Sequence, residues 1–153
     1  MWTAPPPAWN QTNPGNTPAD IQTAVYQVRN GSTNVLLRWN YTLLPVQTLL
    51  LITFSIGDGV SQDDIGIVIT PGPTGSLNDK YKEVFSIYST SQFSNLTINR
   101  VTEQENATFQ CKLQVGSNVW AYNIRVEVTG KNHMRLGQFK KCRYLLGLLR
   151  NKS

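Results

Sequence analysis

The chain has 153 residues, enough for one domain with its own core plus appendages. Its formal charge of +5 sits at one end: seven of its 14 Lys and Arg (Lys131, Arg135, Lys140, Lys141, Arg143, Arg150, Lys152) lie in 131–153, which holds no acid, and the rest are outnumbered by the 9 Asp and Glu. The pI near 9.4 therefore describes a tail and gives no reason to expect nucleic-acid binding by the remainder.

Residues 1–20 are rich in Pro, Asn and Thr, with Pro5-Pro6-Pro7, and bury too little apolar surface to fold alone. They read as a disordered arm that Trp2 or Trp9 can tack onto the domain. The start lacks the basic and apolar regions of a signal peptide. The longest mostly apolar run, Leu43 to Ile56, is interrupted by Pro45, Gln47, Thr48, Thr53 and Ser55 and is too short to span a bilayer.

From Ile21 the pattern is strand-like. Ile21 to Val28 leads into Arg29-Asn30-Gly31-Ser32, whose Asn-Gly pair suits a tight reversal. Asn34 to Thr42 then alternates, with Val35, Leu37, Trp39 and Tyr41 on one side and Leu36, Arg38, Asn40 and Thr42 on the other, as a half-buried strand does. Leu49 to Ile56 is a third strand, ended by Gly57-Asp58-Gly59, and Ile65 to Thr70 a fourth, closed by Pro71-Gly72-Pro73-Thr74-Gly75. Tyr81 to Tyr88, Phe93 to Asn99, Thr108 to Val115 and Val119 to Thr129 complete the set. Short strands separated by turns, without helical periodicity before residue 130, predict an all-β, two-sheet antiparallel Greek-key sandwich over 21–130. Beyond Gly130, Phe139, Cys142, Leu145, Leu146 and Leu149 have helical spacing among basic residues. This is either a solvated basic tail or an amphipathic segment with weak contact to an anionic membrane.

No catalytic constellation is present. The one histidine, His133, lies in the tail, which excludes Ser-His-Asp and Cys-His arrangements inside the domain. No phosphate loop or zinc spacing occurs, so no enzyme, no cofactor and no small-molecule substrate is expected. Asp58, Asp63 and Asp64 can in principle hold calcium, but their spacing is not that of an EF-hand loop, and turn carboxylates are the commoner explanation. No metal site is expected.

One stretch is more specific. In Ser94 to Leu113, SNLTINRVTEQENATFQCKL, the alternating Leu96 and Ile98 are followed by Glu105-Asn106-Ala107-Thr108-Phe109-Gln110-Cys111. This resembles the immunoglobulin superfamily, where L-x-I is followed by D-x-A-x-Y-x-C; Glu105 replaces the usual Asp and Phe109 the usual Tyr. The resemblance implies strands A (Ile21–Val28), B (Asn34–Thr42), C (Leu49–Ile56), C′ (Ile65–Thr70), D, E, F and G. A strand between C and D implies a variable-type domain. It also implies a basic residue at the start of D, Lys82 or Lys80, that pairs with Glu105. The B-strand cysteine is absent; Trp39 stands where it is expected, and Ile52 is near the position of the usual C-strand tryptophan. Trp39 is therefore read as a plug beside a free, buried Cys111, since a bridge to Cys142 requires the tail to reach the sandwich interior. The expected core comprises Leu37, Trp39, Ile52, Leu96, Ile98, Phe109 and Cys111. The L-x-W of the second strand also resembles a fibronectin type III spacer; the long 57–79 region and the E-x-A-x-F-x-C stretch favour the immunoglobulin resemblance.

Sequons occur at Asn10, Asn30, Asn40, Asn95, Asn106 and Asn151. Asn30, Asn40, Asn95 and Asn106 are the expected glycosylation sites of the domain. Asn40 points outward from B and Asn95 outward from E, while C, C′, F and G carry none. The reading that follows is a domain of a cell-surface or secreted protein, present here without leader or anchor and hence as a fragment. An A-B-E-D sheet bears glycans, and a bare C-C′-F-G face binds a protein partner or a second copy. Strand C supplies apolar contacts either through Leu49 and Leu51 or, in the reverse register, through Leu50, Ile52, Phe54 and Ile56. Gln110, Lys112, Arg125 and Glu127 supply a polar rim.

Overall fold

The structure, a computed structural model, describes residues 9–10, 23–58, 61–70, 72 and 74–130. These contain strands β1 (Trp9–Asn10), β2 (Thr23–Arg29), β3 (Thr33–Asn40), β4 (Leu49–Gly57), β5 (Gln62–Ile69), β6 (Ser76–Leu77), β7 (Phe85–Ser89), β8 (Phe93–Arg100), β9 (Thr108–Val115) and β10 (Asn118–Thr129). One sheet runs β1-β10-β9-β4-β5-β6, with β2 also on β10; the other runs β3-β8-β7. Period-two alternation puts both inner faces into one core. Leu37 and Trp39 of β3, Leu96 and Ile98 of β8, Ile52 and Phe54 of β4, and Phe109 and Cys111 of β9 are all buried there. Each large apolar side chain so buried stabilises the fold by about 1.5–3 kcal/mol. Two edge-to-face ring pairs tie the sheets together, Trp39 on Phe54 (centroids 5.9 Å apart) and Phe85 on Phe109 (5.8 Å).

The first strand departs from expectation. The turn at Asn30-Gly31 forms, with Gly31 at φ +86° and Ser32 N–H donating to Arg29 O. Yet β2 does not join β3. It runs parallel to β10 over seven register pairs, from Asn123↔Thr23 to Thr129↔Arg29, so the A strand belongs to the sheet of C, F and G. The turn's own amides explain the crossing. Asn30 N–H donates to Thr129 O and Gly31 N–H to Val101 O, so the corner is bonded to other strands instead of closing a hairpin. Among the described residues antiparallel pairing is thus the rule with one parallel exception, and β3 is left as an edge strand. Trp9 and Asn10 pair by backbone with Ala121 and Trp120 of β10.

Two further expectations are corrected. Tyr81–Val84 is not strand: a single 3-10 turn spans Asp79–Tyr81, and β7 begins at Phe85. Glu105 meets neither Lys80 nor Lys82. It is buried at the end of a second 3-10 turn, Glu103–Glu105, where its Oε2 accepts from the Thr102 amide (2.6 Å) and the Thr102 hydroxyl (2.7 Å). A capping box three residues away reaches the carboxylate more easily than a lysine held on another loop. Lys80 pairs with Asp63 and Lys82 with Asp79 instead. The β1-preceding arm, the tail from Lys131 onward and Cys142 lie outside the described residues.

Candidate recognition face

The outward face of the larger sheet is built by register. Four cross-strand rows can be read from β5 through β4 and β9 to β10: Ile69–Leu51–Gln114–Val119, Ile67–Thr53–Lys112–Ala121, Asp64–Ser55–Gln110–Asn123 and Gln62–Gly57–Thr108–Arg125. Two irregularities set what each row presents. A bulge between Leu49 and Leu51 turns Leu49 into the core (8 % exposed) and leaves Leu50 exposed at the bend. A second, between Phe54 and Ser55, skips Ile65 inward and brings Asp64 opposite Ser55.

The expected contact residues therefore separate. Leu49 is a core residue, so its placement on the face is corrected, and neither of the two registers weighed for this strand describes it. Leu51 does lie on the face, half-buried. Gln110 is also on the outward side, but it is only 5 % exposed and its Nε2 donates to Asn123 Oδ1 at 2.9 Å. Beside it Ser55 Oγ donates to Asp64 Oδ1 at 3.1 Å. The centre of the face is thus a polar row in which Gln110 bonds to Asn123 and Ser55 to Asp64, not a set of leucines. Lys112, Arg125 and Glu127 are half-buried on the same side, and Gln27 Nε2 of β2 donates to Glu127 Oε2 at 3.5 Å.

The apolar part sits at one end of the face, on β4 and β5. Ile69 is 66 % exposed and Ile67 half-buried, next to Leu51 in the register. Leu50 adjoins them at the bulge, where Thr70 N–H donates to Leu50 O. Below this edge an open cleft of about 590 Å³ runs between Leu43, Leu49 and Leu50, Thr70, and the β7–β8 turn at Ser89–Ser91. Ile67 and Ile69 escaped the sequence reading because Ile65-Gly66-Ile67-Val68-Ile69 is apolar on both sides of the strand, and such a run does not reveal which side faces out.

The remaining groups are structural. The Trp39 indole N–H donates to Tyr122 O at 3.2 Å, and Tyr122 pairs in register with Cys111, so the indole sits in the region of the absent bridge. Cys111 is free, and burial pushes its thiol well up. The Tyr41 hydroxyl lies 3.1 Å from Ser94 Oγ and is pushed up to about 12, chiefly by burial. Asp58 Oδ1 accepts from Ser61 N–H in its turn, and Asp63, held low by its bond to Lys80, also accepts from Tyr81 OH. Among the described residues no cluster of His, Cys, Asp or Glu is arranged to hold a metal, and no helix is long and apolar enough to cross a membrane.

Asn40 and Asn95 lie on the outer side of the three-stranded sheet, Asn30 at the β2–β3 turn, and Asn106 after the second 3-10 turn with its Oδ1 accepting from Val128 N–H.

No protein family of known sequence matches the chain, and neither does any curated protein. Solved structures do: 1895 chains resemble it, a breadth that identifies an architecture and not a partner. One of them is the structure of murine CRIg, at a TM-score of 0.60 and 14 % identity, spanning 72 % of this chain and 97 % of that one. At that identity the likeness speaks to fold alone, and together with the two-sheet topology it makes this chain an immunoglobulin-like β-sandwich.

Proposed function

We propose that this chain is an extracellular recognition domain of the variable type that binds a protein partner, a second copy of itself being the first to test, through the β4–β5 end of its larger sheet. The observation that carries this is the apolar group at that end, exposed Ile69 and Leu50 with half-buried Ile67 and Leu51, on strands that contain no sequon. The polar row beside it and the half-buried Lys112 and Arg125 supply selectivity, as charges at the margin of a contact do. The variable type is supported by β5 and β6 alongside β4, and by β2 running parallel to β10.

The test is sedimentation velocity on the parent and on Leu51→Lys/Ile69→Lys, with circular dichroism to confirm that both are folded. The expected result is a parent that associates and a variant that is monomeric. A monomeric parent refutes self-recognition. Parent and variant then serve as paired probes of cell surfaces, and equal staining by both would overturn the assignment of this face.

A further inference from the structure

We infer that Asn95 carries an N-linked glycan whose first N-acetylglucosamine packs on the ring of Phe93 and covers the outer face of the three-stranded sheet. This rests on the extracellular reading, because only a chain passing through a secretory pathway meets the transfer machinery. There, Nδ2 of Asn95 attacks C1 of a lipid-linked oligosaccharide. It loses one amide proton, forms the C–N bond and releases the polyisoprenyl diphosphate; the secretory transferase supplies that donor.

The geometry comes from one strand and its two neighbours. Along β8, Ser94 and Leu96 point into the core, so Phe93, Asn95 and Thr97 are successive outward residues, each about 7 Å from the next. The sequon's amide and hydroxyl therefore stand in line with an aromatic ring. Across the sheet, Arg38 lies opposite Asn95 on β3 and Tyr88 opposite it on β7. The Arg38 guanidinium is 3.9 Å from the Phe93 centroid, and the Tyr88 ring is 6.1 Å from it, inclined by 33°. Two rings thus form a floor beside the amide, with the exposed Arg38 guanidinium stacked over the Phe93 face that the sugar would take from it. Asn95 is half-buried on this outer face, and its Oδ1 has no hydrogen-bond partner holding the amide to the sheet. The C–H face of a pyranose ring suits such a floor, since its hydrogens meet the negative face of the aromatic ring.

The same sheet has a reason to be covered. Among the described residues β3 is paired only on its β8 side, and an exposed edge of this kind invites strand addition from another chain. Asn40, a second sequon, lies on that edge strand opposite Phe93 and accepts from Arg38 Nε at 3.2 Å, so it is the natural control.

The experiment secretes the full chain behind an added leader from cells that make only high-mannose glycans. Site occupancy is read by mass spectrometry. Endoglycosidase H then trims each glycan to a single sugar, and melting is compared with Thr97→Val, which removes the sequon but keeps Asn95. The same pair made in bacteria corrects for any effect of valine itself. The expected result is an occupied Asn95 and a single-sugar form that melts about 4 °C or more above its unglycosylated counterpart. That increment disappears in a Phe93→Thr background and persists in Asn40→Gln. An unoccupied Asn95 in a secreted, folded parent overturns the inference, as does an equal increment without Phe93. The recognition face is read separately, by the association of unglycosylated protein, so either proposal can fail alone.

Discussion

Replacing Trp39 with alanine removes the group that occupies the intersheet space in the absence of a bridge. The side chain is only 2 % exposed, contacts Phe54 edge-on and donates its indole N–H to Tyr122 O. Burying about 200 Å² of aromatic surface at about 25 cal/mol per Å² stabilises the fold by about 5 kcal/mol. The retained methyl group and partial collapse of the site reduce the loss to about 3–4 kcal/mol, and the orphaned Tyr122 carbonyl adds about 1 kcal/mol. The expected cost is therefore about 4–5 kcal/mol, between about a third and nearly all of the stability of a domain in the usual range of about 5–15 kcal/mol. Trp39→Phe retains a ring but loses the hydrogen bond and should cost about 1–2 kcal/mol. Urea unfolding followed by circular dichroism measures both without relying on the fluorophore being removed. With a slope of about 1–3 kcal/mol per molar urea, Trp39→Ala should shift the midpoint by about 1.3 M or more. A midpoint within about 0.3 M of the parent would refute the core-plug reasoning, because no other group in the region can replace that much buried surface.

Cys111 and Tyr41 predict an alkaline limit. Both are acids whose folded values are raised, from ordinary values of 9.0 and 10.0, so they keep protons that the unfolded chain gives up. Stability should be independent of these groups below pH 9 and fall above it, with Cys111 contributing up to about 1.4 kcal/mol per pH unit. Cys111→Ala should delay the fall, and a parent equally stable on both sides of pH 9 would sink this expectation. The native thiol should also resist iodoacetamide until urea unfolds the chain. At the β8–β9 corner, Glu105→Ala should cost about 1–2 kcal/mol through the lost capping box, whereas Lys82→Ala should cost less than about 0.5 kcal/mol; equal costs in thermal melts would restore the ion pair. Leu49→Lys should unfold the domain, while Leu51→Lys should leave its circular dichroism intact, the opposite of what two equivalent face residues would do.

The sequence by itself determined the centre of the core and where most strands lie. Alternation along Val35–Tyr41 and Phe93–Asn99 is a local property of one strand, and Leu37, Trp39, Leu96 and Ile98 are buried where that alternation placed them. The stretch from Leu96 to Cys111 was likewise legible, because a strand, a corner and a second strand are contiguous there. Three matters were decided only in three dimensions. Whether β2 joins β3 or β10 depends on backbone partners about a hundred residues away, and no local pattern encodes that choice between two open edges. The bulge at Leu50 reverses Leu49 relative to Leu51, and one inserted residue changes which side chain faces out without altering composition or hydropathy. Finally, Gln110 looks like an exposed rim residue in the sequence. It is covered because register sets it beside Asn123 and Ser55, so the character of the face is a property of four strands together and of none singly.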